Sequence, residues 1–164
     1  AAYEQIPRQF PAAANDEVWL RAGICDYKAD AFKQAADALT RVRARTPKMA
    51  AESLYYLGLT QLSLKNDVAA SQTLADLRRS APSSDRIAEL LFAIWRYHEK
   101  RERDDQATAF YTQLVRQFPQ SDKADDAHFW LAWRAHEAKD YANASRLLTE
   151  HLGVNHLQIG RAHV

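Results

Sequence analysis

The sequence predicts an all-α protein, an α-solenoid of stacked antiparallel helix pairs. Three observations carry that expectation: evenly spaced prolines, a composition of helix formers, and a recurring order of large and small apolar residues. Pro11, Pro47, Pro82 and Pro119 lie 36, 35 and 37 residues apart, and a period of that size marks a stack of repeated units. Each follows a stretch of helical apolar periodicity, Tyr3 to Phe10, Ala31 to Thr46, Ala69 to Ala81 and Gln106 to Phe118. Proline cannot continue a helix, so each is expected to stop one.

The text ahead of the prolines repeats. Arg8-Gln9-Phe10-Pro11 returns as Arg116-Gln117-Phe118-Pro119. Ahead of Pro47 stand Trp19, Ala22-Gly23, Phe32, Ala35, Leu39 and Val42, and ahead of Pro82 stand Leu54, Leu57-Gly58, Ala70, Leu74 and Leu77. The last unit runs Leu131-Ala132, Asp140-Tyr141, Ala144 and Leu148. The order is large, small, turn, Ala, large each time. The units so read are 1–13, the last helix of a preceding pair, then pairs over 16–49, 51–84, 88–121 and 125–156, and a tail over 157–164. In the third pair the small position falls on Ala93 or Trp95, and the loop Lys100 to Asp105 is expected to be lengthened.

Composition agrees. The chain has 164 residues, 47% hydrophobic and 26% charged, with four glycines and five prolines, which is the profile of a globular helical protein. Lys and Arg number 22 against 21 acids. So even a balance offers no field for a nucleic-acid backbone or an anionic bilayer. No apolar run approaches the ~20 residues that span a membrane. A single Cys25 excludes an internal disulfide, and it is read as a small buried filler.

The residues that invite chemistry have plainer readings. His128 and His136 are two helical turns apart, too far to share an ion, and with His151 they make no metal site. Asp104-Asp105 and Asp125-Asp126 fall at helix starts, where carboxylates complement the dipole, and Arg41 to Arg45 and Arg78-Arg79 fall near helix ends for the same reason. No phosphate-binding glycine loop, nucleophile elbow or paired C-x-x-C occurs. No catalytic residue and no cofactor is expected in this chain.

With Gly23, Gly58 and Ala132 at the small position and Ala35, Ala70, Ala107 and Ala144 across from it, the chain resembles the tetratricopeptide repeat family. The resemblance covers roughly 16–152. It implies that the small residues let the second helix of each pair lie close to the first, and that the first helices line a concave groove. By position that groove would show Tyr27, Tyr55, Trp133 and His136, aromatic groups suited to anchoring a protein or peptide; packing between units is the other use for them. At the place where the family has Tyr near the end of the first helix, Asp26, Gln61 and Ala135 stand instead.

Asp125 to Leu148, with Ala-His-Phe-Trp-Leu-Ala-Trp and Lys-Asp-Tyr inside it, and the preceding Phe110-Tyr111, Leu114 and Arg116 to Ser121 are similar to the N-terminal helical region of bacterial soluble lytic murein transglycosylases. That resemblance implies a periplasmic parent that cleaves peptidoglycan with a domain absent from this chain. Glu52-Ser53 and Gly58-Leu59-Thr60-Gln61 imitate that domain's signature, but five residues is too short a separation and both are expected inside one helix. The alternative is a periplasmic repeat adaptor of the Tol–Pal or outer-membrane assembly type. The chain reads as a truncated piece, and Ile159 to Val164 resembles one frame of a sequencing adapter, expected to be unpacked.

Overall fold

The computed structural model of the chain describes residues 15–159, with side chains through Glu150; the expected leading helix over 1–13, the side chain of His151, and residues 160–164 lie outside them. Eight helices follow in order: α1 (Asp16–Lys28), α2 (Phe32–Thr40), α3 (Pro47–Ser63), α4 (Asp67–Ser80), α5 (Arg86–Glu99), α6 (Asp104–Gln117), α7 (Asp122–Glu137) and α8 (Tyr141–Ile159). They pack as α1 with α2, α3 with α4, α5 with α6 and α7 with α8. The described protein is an all-α solenoid of helix pairs. Helix α8 runs to Ile159, past residue 156 where the last pair was expected to end and the tail to begin.

Each pair closes with the same turn. Asp30, Lys65, Glu102 and Lys139 take left-handed φ values of 57°, 62°, 55° and 62°. The N–H of the next residue donates to a carbonyl five residues back: Ala31 to Asp26, Asn66 to Gln61, Arg103 to His98 and Asp140 to Ala135. These bonds take up carbonyls that the first helix leaves unmatched at its end. They also settle the register. Seven residues before each left-handed residue stand Gly23, Gly58, Trp95 and Ala132. The small position of the third pair is therefore Trp95, not Ala93, and Lys100 to Asp105 holds the same turn as the other pairs rather than a lengthened one.

The extra residues lie elsewhere. Pro47, Pro82 and Pro119 each follow the left-handed residue by 17, but the next small position comes 11 residues after Pro47 and 13 after Pro82 and Pro119. Pro82 and Pro119 sit past the ends of α4 and α6, as expected. Pro47 does not stop a helix: it begins α3, at the first helical positions where its missing N–H costs nothing. Thr46 before it is extended, as a pre-proline residue must be, and its hydroxyl accepts from the Met49 N–H at 3.2 Å. Helix α2 accordingly ends at Thr40 instead of reaching Thr46. The Arg43 N–H is held by Asp16 Oδ1 at 2.9 Å, and Thr40 turns its hydroxyl back on the Ala36 carbonyl.

The apolar rows meet as a continuous core. Ala35, Ala70, Ala107 and Ala144 are all buried, one per second helix. The largest cluster runs from Ala51 to Ala127 through Leu77, Leu90, Leu91, Ile94 and Trp95. The glycines serve two different approaches. A Cβ on Gly23 would lie 2.5 Å from Leu39 Cγ on α2, so this glycine admits the second helix of its own pair. A Cβ on Gly58 would lie 2.7 Å from Leu90 Cδ1, so this one admits α5, the first helix of the next pair, rather than α4. Cys25 is half-buried, not a buried filler.

Gly23→Ala measures that close approach. Alanine favours a helix by roughly 1 kcal/mol over glycine, but the collision involves Leu39 Cγ and, at 3.3 Å, its backbone N. Urea denaturation should show a net loss of about 1–2 kcal/mol. A gain in stability would mean that α2 can step back freely.

Candidate partner-binding face of the first helices

Each first helix touches the next first helix: α1 with α3, α3 with α5, and α5 with α7. Among the described residues the backbones of α2 and α4, and of α4 and α6, stay apart. Long side chains bridge that outer gap; Arg78 on α4 donates from Nη2 to Gln113 Oε1 at 3.1 Å and Gln117 Oε1 at 3.0 Å on α6. A row that crowds on one side and splays on the other curves, so the first helices form its inner side.

Cations lie over rings across that inner side, and one such contact occurs in two copies. The Arg86 guanidinium on α5 stacks over the Tyr55 ring of α3 at 4.6 Å, and the Lys123 ammonium on α7 lies 5.2 Å over the Phe92 ring of α5. Each cation also pairs with an acid three residues on, Arg86 with Glu89 at 2.5 Å and Lys123 with Asp126 at 2.9 Å. Arg86 reaches back to Glu52 as well, at 2.7 Å. Next along the face, Arg96 on α5 sits 3.9 Å over the Trp130 ring of α7, and Glu99 accepts from Arg134 of α7 at 3.2 Å. Cation over ring, with an acid beside it, is a clasp between adjacent pairs.

The electrostatics follow. Tyr55 is pushed up to about 12, first by burial and then by the charge and hydrogen bonding of Glu89. Burial opposes the charge on Arg86, but together the hydrogen bonds and charges of Glu52 and Glu89 hold its guanidinium above its ordinary range. Glu52 thus spends its carboxylate on Arg86, while the Ser53 hydroxyl donates to the Ala50 carbonyl at 3.2 Å. That Glu-Ser pair lies within α3, as does Gly58 to Gln61.

The four residues expected in a groove have different surroundings. Tyr27 packs between Phe32 at 5.9 Å and Tyr56 at 5.6 Å, at the seam of the first two pairs. Tyr55 lies half-buried under Arg86. Trp133 and His136 are exposed and stacked, centroids 5.7 Å apart, with Tyr141 5.5 Å beyond His136. The inner-side residues missed in the sequence are Phe92, Phe129, Arg86 and Lys123. Their signal was present as spacings of 37 from Tyr55 to Phe92 to Phe129 and from Arg86 to Lys123. Phe129 is 56% exposed and Trp133 48%. His128 meets the Tyr111 hydroxyl through Nδ1 at 3.0 Å.

The family model for the tetratricopeptide repeat matches residues 52–84 and 86–121. Two tetratricopeptide repeats stand there. No curated protein matches the chain. The first repeat is the pair α3–α4 and the second is α5–α6. The flanking pairs α1–α2 and α7–α8 share the repeats' left-handed turn and buried alanine. No helix among the described residues is long and apolar enough to cross a membrane.

The second repeat buries a histidine. His98 stacks flat on Phe110, centroids 5.5 Å apart and planes 6° from parallel, with Nε2 3.9 Å from Asp67 Oδ2. Burial lowers its pKa; Asp67 raises it, and Arg103 and Arg101 lower it further. The folded chain therefore resists a proton that the unfolded chain accepts. Stability is full above the ordinary histidine range, roughly pH 6.5, and falls as pH drops from there towards the lower folded pKa. Between pH 7.5 and 5.5 the parent should lose more stability than His98→Phe, by no more than about 1.4 kcal/mol per pH unit, the limit for one proton. Parallel losses in urea titrations of both would reject it.

Proposed function

We propose that this chain is a non-catalytic interaction scaffold that holds a protein or peptide partner on the inner side of its first helices. The observation that carries this is the solvent-facing aromatic group Phe129, Trp133, His136 and Tyr141 on α7 and the start of α8. Tyr and Trp give large rigid contact area at small entropic cost, and they concentrate binding energy where a partner excludes water. Tetratricopeptide units supply the rigid frame, since their second helices pack behind the row.

A photo-cross-linking residue at position 133, in the protein expressed in its native host, should yield a discrete protein adduct. The same residue at Val68, exposed on the outer helix α4, should not. Equal labelling from both positions, or none from 133, would end the scaffold reading.

Within it we further propose that the parent is a periplasmic lytic transglycosylase acting on peptidoglycan, with this chain as its helical region. The run Asp125 to Leu148 and the preceding Phe110 to Ser121 support that assignment. A periplasmic adaptor would use the same face without a catalytic domain. The complete reading frame separates them: it should encode Glu-Ser followed by Gly-Leu-Met-Gln, and its product should clear peptidoglycan in a muralytic assay. A frame that lacks that signature overturns the transglycosylase assignment.

A further inference from the structure

We propose that the forward face of α7 is a stacking site for another helix pair, one whose first helix carries a Lys or Arg in its opening turn and an acid three residues later. The proposal rests on the scaffold reading above and names the chemistry of the partner at that site.

The argument is one of register. Phe129, Trp133 and His136 occupy on α7 the places that Phe92, Arg96 and Glu99 occupy on α5, each 37 residues on. All three α5 residues are covered by α7: Lys123 lies over Phe92, Trp130 lies against Arg96, and Arg134 pairs with Glu99. One unit earlier, Tyr55 is covered by Arg86, and Leu62, in the register of Glu99, is buried. On α7 the same three positions lie open, with Phe129 at 56%. The site is thus a third copy of an interface that the chain forms twice.

The repeated contact also specifies the occupant. Over both covered rings the group supplied is a cation held by its own i+3 acid, Arg86 with Glu89 and Lys123 with Asp126. Ring faces attract such cations, more so when neighbouring side chains exclude water. The chain's own first helix does not meet that specification. The residue of α3 in this register is Met49, and by the same offset that ahead of α1 is Ala14. A second copy docking head to tail through α1 would therefore bring no cation to Phe129. The occupant is a pair built like α5–α6.

A direct test inserts a copy of residues 81–121 after residue 154 of the full chain, with residues 155–164 carried behind it. The insertion sets the copied Arg86 37 residues beyond Lys123. Far-UV circular dichroism should rise by the helical content of one pair. The acrylamide quenching due to Trp133, taken as the difference from Trp133→Phe, should be lost. Phe129→Ser should be near neutral in the parent but lower the Tm of the extended chain by about 4 °C, and Arg86→Ser within the copy should remove that difference.

An insert that stays non-helical, a Trp133 that stays quenchable, or a Phe129→Ser effect equal in both chains would each overturn the proposal. If the extended chain behaves as expected while position 133 gives no cross-link in the native host, the stacking site stands and the scaffold reading fails.

Discussion

The bond from the residue after each left-handed turn to the carbonyl five residues earlier sets how the second helix of every pair returns along the first. The backbone there is taken by Asp30, Lys65, Glu102 and Lys139, none of them glycine, in a region that costs an L-residue roughly 1–2 kcal/mol. That the same conformation recurs in four pairs implies that the packing around it over-determines it. Ala35, Ala70, Ala107 and Ala144 can lie buried against the first helices because the turn brings them there. Were any of these turns to relax, its pair would lose the register on which the next pair rests.

Against that constraint, Trp95 is instructive. It holds the position of Gly23, Gly58 and Ala132 yet is almost fully buried, with Phe92 5.3 Å away and Tyr111 on α6 at 6.3 Å. In the first pair the matching contact is Gly23 against Leu39. The third pair therefore fills its seam with two large rings where the first uses a glycine and a leucine. The same turn tolerates both because the bonds that define it lie in the backbone, seven residues further on.

Much of this was legible in the sequence. Helicity followed from period and residue type, and the four buried alanines from the tetratricopeptide resemblance, because those features repeat and local preference agrees with the fold. What was hidden is what depends on partners distant in the chain. Pro47 reads as a stop and is a start, since two residues fewer separate it from the following small position than separate Pro82 or Pro119. Residue size alone leaves the small position of the third pair open between Ala93 and Trp95, because what a ring packs against lies elsewhere in the chain. Of the aromatic set, Trp133 and His136 face solvent, whereas Tyr27 is drawn into the seam by Tyr56 and Tyr55 lies beneath a guanidinium supplied 31 residues later. A sequence shows which rings exist, but not which are already occupied.

The asymmetry between the two sides of the row has a mechanical consequence. First helices are locked to one another by rings, cations and acids, whereas the outer backbones stand apart, tied by extended side chains such as Arg78. Long side chains change rotamer at little energetic cost, but a packed seam resists change. A bending load on the stack would therefore be taken up by the outer ties, with the inner row as the pivot. Curvature could then adjust like that of a leaf spring, without any helix pair coming apart.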